Sequence, residues 1–222
     1  AYGSRKEVHQ IIKDRRVTIN GEITTKKDIH IDIDSDIVAV DGQTVNTTQL
    51  YYVKFHKPKG YVTAVEDSTH PVVMDLLPPE YLKMGVVPVG RLDKDTEGLL
   101  LLTNDGVWGH SIINGHKHVP KVYYVEFEGE LSEEGIQRIK EGIVLGDGTQ
   151  CKPALIKLLS DQSATITIEE GKYHQVKRMI GAAGGTVLYL KRLTIGHVDL
   201  NGIEEVGSVM DLTIDDVEGF KK

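Results

Sequence analysis

The chain is nearly without cysteine. Among its 222 residues only Cys151 is present, so no intrachain disulfide can form and no multi-cysteine zinc site can be built. Cys151 has neither a partner nor an activating motif, and it reads as a structural residue. No run of about 18 apolar residues occurs, so a membrane span is not expected. The N-terminus lacks the basic-then-apolar order of a secretory signal. These absences point to a reducing, cytoplasmic compartment and to no membrane partner. Internal repeats and low-complexity tracts are also missing.

Phosphate cradles are missing too. The sequence has no G-x-G-x-x-G and no G-x-x-x-x-G-K-[ST], so dinucleotide redox chemistry and nucleotide hydrolysis lack their usual loops. No H-E-x-x-H marks a zinc protease and no G-x-S-x-G elbow marks a hydrolase nucleophile. Asp32, Asp34 and Asp36 have the spacing of a calcium loop. Ile37 and Gln43, however, stand where that loop needs its glycine and its glutamate. His110, His116 and His118 fall in a glycine-rich stretch with no further ligand signature and read as surface or structural histidines. The expectation is therefore no metal and no cofactor.

What is present is an ordinary globular balance, 40% hydrophobic and 27% charged, which excludes wholesale disorder. The length allows one or two domains. With 26 bases against 33 acids the net charge is −7, and by itself that sum disfavours a nucleic-acid partner. The distribution qualifies it. Residues 1–27 hold seven bases and three acids, and residues 171–192 hold five bases and no acid. Acids concentrate in 28–41, 126–147 and 199–222. A phosphate backbone responds to potential within about 8–10 Å and not to the sum over the chain. Two basic segments are thus candidate RNA contacts on a net-acidic protein, or simply solvated helix faces.

The first 48 residues read as a small basic unit. Ser4 and Glu7 form a capping-box signature, Val8, Ile11 and Ile12 follow at helical spacing, and Arg15-Arg16 lie near the helix end. Val17–Ile19 reads as a strand before an Asn20-Gly21 turn. Ile29–Asp34 alternates strictly and predicts a half-buried strand with aspartates facing water. Ile37–Val40 predicts a strand entering an Asp41-Gly42 turn. Asn46–Gln49 reads as a linker. Beyond it the pattern is strand-rich: strands at 51–57, 123–128, 165–168 and 186–195, a helix at 132–142 capped by Ser132, and a helix at 174–183. Strands and helices mix without a βαβ rhythm, which predicts an α+β fold with a mainly antiparallel, mixed sheet and flanking helices.

One loop stands out. Gly90-Arg91-Leu92-Asp93-Lys94-Asp95-Thr96-Glu97-Gly98 sets charged residues between two apolar strands, Val86–Val89 and Leu99–Leu102. Loops held by a rigid sheet are where reactive groups concentrate. On composition alone a charged turn, with its aspartates capping backbone amides, fits as well. The string Gly90-Arg91-Leu92-Asp93, then Thr96-x-Gly98-Leu99-Leu100, resembles the signature of the RsuA/RluA-type pseudouridine synthases. Lys121-Val122-Tyr123 is similar to that family's Lys-x-Tyr motif. Gly171-Lys172-Tyr173-His174-Gln175-Val176-Lys177-Arg178-Met179 resembles the RsuA branch's G-[RK]-Y-H-Q-V-K-R-M. Residues 1–48 resemble an S4-type RNA-binding domain. Members normally carry another helical turn before Gly3, so the N-terminus is expected to be trimmed.

The resemblance implies a catalytic domain over residues 49–222 that isomerises uridine to pseudouridine in ribosomal RNA without a cofactor. It implies that Asp93 is the catalytic aspartate, Tyr123 the active-site tyrosine, and Lys177 the basic partner of Asp93, with Arg178 as runner-up. A carboxylate that acts as nucleophile or base must be ionised, which is why such a partner is required. Attack at C1′, attack at uracil C6 and proton removal at C2′ all stay open for Asp93. Arg91 would fill the space left by a flipped uridine or hold its phosphate. Lys172, His174 and Gln175 would contact substrate or support the site, and Arg5, Lys6, Arg15 and Arg16 would position RNA. Trp108 and Met179 read as core. The Asp105–His110 and Gly148–Pro153 stretches resemble the small-subunit branch, which makes 16S rRNA the first expectation. A large-subunit rRNA enzyme and a non-catalytic assembly factor are the alternatives. The expected partner is rRNA or a subunit assembly intermediate, and the expected state is a monomer.

Overall fold

The computed structural model describes residue 2 and residues 5–32, 35–45, 49–114 and 119–221. Ser4, Asp34, His116, His118 and the linker residues 46–48 lie outside the described residues, as does the side chain of Arg5. The chain divides into two compact units, Ala1–Gln49 and Leu50–Lys222.

In the first unit, α1 (Arg5–Lys13) carries Val8, Ile11 and Ile12 on a half-buried face. Lys13 lies in its last turn, where a cation favours the helix dipole. Strands β1 (Val17–Ile19), β2 (Glu22–Ile23), β3 (Val38–Val40) and β4 (Gln43–Thr44) form an antiparallel sheet in the order β2-β1-β3-β4. Asn20-Gly21 turns with φ of 51° and 86°, and Asp41-Gly42 with φ of 52° and 78°. Both turns need two residues at positive φ, which Asn-Gly and Asp-Gly supply.

The strand expected over Ile29–Asp34 is not formed at residues 29–32. The Asp36 carboxylate accepts the Asp32 amide at 2.9 Å, and the Asp36 amide donates to the Asp32 carbonyl at 2.8 Å. A local turn closed by an aspartate satisfies those groups, so the alternation finds no ladder partner.

The second unit contains β5 (Tyr52–Lys57), a 3₁₀ turn at Val73–Leu76, α2 (Pro79–Lys83), β6 (Val87–Val89), β7 (Glu97–Thr103) and α3 (Gly106–Ile113). It continues with β8 (Lys121–Gly129), α4 (Glu133–Glu141), β9 (Leu155–Ser160), β10 (Ser163–Ile168), α5 (Gln175–Ala182), β11 (Gly185–Ile195), β12 (Val209–Asp211) and α6 (Ile214–Gly219). The eight strands make one sheet ordered β12-β5-β7-β11-β8-β10-β9, with β6 also paired to β7. Among the described residues of this sheet only β7 and β11 pair in parallel, so the sheet is mixed and mainly antiparallel.

Strand β7 is buried on both faces, which explains its uninterrupted leucines. Leu99 and Leu101 pack with Trp108, Ile112 and Phe220, while Leu100 and Leu102 pack with Val53, Phe55 and Val73. A third cluster joins β8 and β10 to α4 and α5 through Phe127, Ile139, Ile166, Met179 and Ile180. Trp108 and Met179 are core residues, as expected. Asp105 caps α3 by accepting the Val107 and Trp108 amides at 3.0 Å each.

Candidate active site

The loop between β6 and β7 carries Asp93, and it rejoins the sheet where β7 and β11 begin their parallel pairing. Gly98 makes that approach possible. Its φ is 116°, and a side chain there would stand 2.2 Å from the Arg192 carbonyl oxygen. Only glycine fits. Leu92 anchors the loop in the core cluster, leaving Asp93 half-buried beside it.

Across from the loop, α5 starts at Gln175, and His174 precedes it in the left-handed region with φ of 48°. That start aims Lys177 at the loop. Its Nζ lies 3.1 Å from Asp93 Oδ2 and 2.5 Å from Asp95 Oδ1. Burial pulls the Lys177 ammonium down, but the two carboxylates outweigh it and hold it above the usual lysine value. Asp95 is pushed up by burial and brought back below its usual value by Lys177. His174 Nε2 stands 3.5 Å from the other Asp93 oxygen. Asp93 is thus a half-buried carboxylate flanked by a lysine and an imidazole.

Arg178 points elsewhere. It pairs with Asp147 at 2.5 Å and donates to the Tyr173 carbonyl at 3.2 Å. The choice between Lys177 and Arg178 as neighbour of Asp93 therefore falls on Lys177. Gln175 is buried, and its amide is spent inside the protein: Oε1 accepts the Lys172 amide at 2.9 Å and Nε2 donates to Glu170 at 2.7 Å. Lys172 lies 3.0 Å from Glu170 and also donates to the Gln150 carbonyl. These two residues, expected at the RNA, hold the 170–175 turn together. Arg91 is exposed at the rim.

Tyr123, on β8, is buried, with its hydroxyl 3.5 Å from Arg192 Nη1. Tyr124, next along the strand, turns to the opposite face and donates to Glu126 at 2.8 Å. Asp93 and Tyr123 line one cavity of about 80 Å³ together with Arg91 and His174. Asp93, Arg91 and His174 also line an adjoining cavity of about 670 Å³ with Lys94, Lys121 and Tyr173. The larger volume is in the range that holds a small organic molecule. Burial and then the Arg192 charge lower Lys121 to about 8.

In the first unit, Lys6, Arg15 and Arg16 are exposed, and Arg16 pairs with Asp41 through its Nε at 2.9 Å. Arg15 takes a φ of 62° just after α1.

Comparison with known proteins decides the family. Residues 51–182 match the sequence model of the RNA pseudouridylate synthase family. The chain belongs to that family. An uncharacterized RNA pseudouridine synthase, YtzG, of Bacillus subtilis (strain 168) is 42% identical over 96% of this chain and 90% of its own length. A ribosomal small subunit pseudouridine synthase A of Yersinia pestis is 36% identical over 96% of this chain and 91% of its own length. A pseudouridylate synthase crystal structure superposes with a TM-score of 0.72 and 34% identity, covering 98% of this chain and 94% of that one. The sequence resemblance to the RsuA branch and the expected α+β fold are borne out, and members of the family are isomerases.

As a pseudouridine synthase, the chain supports its loop with residues that the motif reading passed over. Lys57 has no exposed surface, and its Nζ donates to the carbonyls of Pro58, Asp93, Lys94 and Thr96 at 2.9, 3.1, 3.4 and 2.8 Å. Burial brings it down to about 8. Thr63 clasps Leu92 from the same side, donating to its carbonyl at 2.7 Å and accepting its amide at 3.1 Å. Arg192 is buried, donates Nε to the Leu99 carbonyl at 2.7 Å and leaves Nη2 without a partner among the described residues. A lysine ending a strand just before Pro58 was the available signal for Lys57. Nothing local marked Thr63, and Arg192 was marked only by its place in the basic segment 171–192.

Proposed function

We propose that this protein converts uridine to pseudouridine at a specific position of small-subunit ribosomal RNA. The observation that carries the reading is Asp93 held beside Lys177 in the cavity that Tyr123 also lines. Isomerisation breaks the N1–C1′ bond, turns the uracil, forms a C5–C1′ bond and moves the C5 proton away while N1 gains one. Asp93 supplies the carboxylate that starts bond cleavage, and Lys177 stands beside it as the cationic partner that favours the charged form of such a group. Tyr123 packs against the uracil and holds its plane. Arg91, exposed at the rim, takes the phosphate or the space vacated by the flipped nucleotide. Small-subunit RNA is favoured because relatives at 33–36% identity across nearly the whole chain are small-subunit enzymes.

Residues 1–48 serve in this reading as an S4-type RNA-binding module, with Lys6, Arg15 and Arg16 against phosphates. The reading makes the protein a cytoplasmic monomer that acts on rRNA or an assembling subunit. The test is incubation with unmodified small- and large-subunit rRNA, followed by carbodiimide-blocked primer extension. A new stop in small-subunit RNA alone is the expected result. A stop only in large-subunit RNA contradicts the substrate, and no stop in either contradicts the activity.

A further inference from the structure

Tyr173 is 75% exposed, although it is an aromatic residue at the edge of the site. Its ring stacks on His174 at 3.8 Å between centroids and 19° between planes. His174 in turn lies 3.5 Å from Asp93. Tyrosine, imidazole and carboxylate are therefore contiguous, and the outer surface of the tyrosine ring faces water.

The turn that displays this ring is tied down on every side. Gln175 holds the Lys172 amide, Glu170 holds Gln175 and the Lys152 amide, and Arg178 holds the Tyr173 carbonyl. The Arg178 amide donates to the His174 carbonyl at 3.0 Å. An aromatic side chain on a loose loop can fold back onto apolar surface, but one on a pinned turn is kept in solvent by the fold. Among the described residues the Tyr173 hydroxyl makes no hydrogen bond, so nothing polar explains the display. The ring lines the same cavity as Arg91, Lys94 and Lys121, whose cations suit a phosphate backbone running past it. Cations beside a displayed aromatic face are the makings of a single-strand binding groove.

We infer that Tyr173 is a stacking platform for an unpaired base next to the target uridine. The inference rests on the pseudouridine synthase reading above and adds a subsite to it. Once the uridine enters the cavity at Asp93, its neighbour in the strand is within reach of the tyrosine face. Stacking of this kind tolerates different bases, because every base has a π-face. His174 backs the ring and couples its position to the catalytic loop.

The test uses the full chain and an rRNA fragment containing the uridine that the unaltered protein modifies. Tyr173→Ala and Tyr173→Phe are assayed on that fragment, and on fragments lacking the base at each neighbouring nucleotide in turn. Tyr173→Ala is expected to raise KM on the order of tenfold, with most of the loss in KM rather than kcat. Tyr173→Phe is expected to stay close to the unaltered protein, since the ring and not the hydroxyl is used. Removing the base on one side should reproduce the loss, and Tyr173→Ala should add nothing further on that RNA. An unchanged KM for Tyr173→Ala overturns the proposal, as do losses that multiply independently. Should Tyr173→Ala fold poorly, the RNA arm decides: an unchanged KM on both abasic fragments also overturns it. Failure of the unaltered protein to modify any rRNA overturns the functional reading, and this proposal with it.

Discussion

Residues 1–27 and 171–192 carry similar positive surpluses, and the fold treats them in opposite ways. In 171–192 the bases meet carboxylates or burial: Lys172 meets Glu170, Lys177 meets Asp93 and Asp95, Arg178 meets Asp147, Lys191 lies 3.5 Å from Glu97, and Arg192 is buried. In 1–27, Lys6, Lys13, Arg15, Arg16, Lys26 and Lys27 are exposed, and only Arg16 shows an ion pair among the described residues. A segment's charge count describes its field only where tertiary structure brings no opposite charge to it. The first segment is a solvated basic surface. The second is a set of charges paired within the fold or buried in it.

That contrast makes ordered predictions. Lys177→Met should lower kcat/KM on the order of 10³-fold, the scale for losing an aligned charge at a reacting group. It should also move the acid limb of the rate profile to higher pH, because Asp95, which Lys177 holds below its usual value, would then rise. An unmoved limb would mean that Lys177 does not govern the ionisation of the loop.

Lys57→Met comes next. It removes the donor shared by four carbonyls, and stability should fall by ~3 kcal/mol in urea unfolding. Activity should fall about 100-fold, because the Asp93 loop would shift. Unchanged stability would show that water or another donor replaces the ammonium.

Arg15→Ala with Arg16→Ala should leave kcat nearly intact and weaken RNA binding at low salt. The slope of log K against log salt should drop by about 1–2. An unchanged slope would remove these arginines from the RNA surface and erase the contrast between the segments.

Asp147→Asn should have the smallest effect, since the Asp147 end of its pair with Arg178 is exposed. Hydrogen bonds from Thr149, and then Arg178, hold the Asp147 carboxyl at about 2. A depressed carboxyl contributes stability above its unfolded value of ~3.9 and loses it as pH falls toward the folded one. A slightly lower Tm at pH 7 is expected, with the difference from the unaltered protein fading below about pH 3.

Much of this was legible where local chemistry dictates structure. Asn20-Gly21 and Asp41-Gly42 announce their turns, Ser132 caps α4 by accepting the Gly135 amide at 3.0 Å, and the leucines of 99–102 announce a strand buried on both faces. The loop around Asp93 was legible through its motif, and Gly98 now has a steric reason. Where distant segments compete, the pattern was silent. Alternation at 29–32 lost to a turn closed by Asp36, and the pairing of Arg178 with Asp147 depended on where α5 points. Lys57 acts on a loop far away in sequence and Arg192 on Leu99 and Tyr123 in the neighbouring strands, so no local spacing reveals them.

The central claim is that Asp93, paired with Lys177, carries the chemistry while other parts of the protein hold the RNA. Asp93→Asn keeps the side chain's shape and removes its charge. Pseudouridine mapping of small-subunit rRNA incubated with this variant, alongside a binding titration, tests the claim directly. The predicted result is loss of the new stop with RNA affinity retained. A stop of undiminished strength would contradict it.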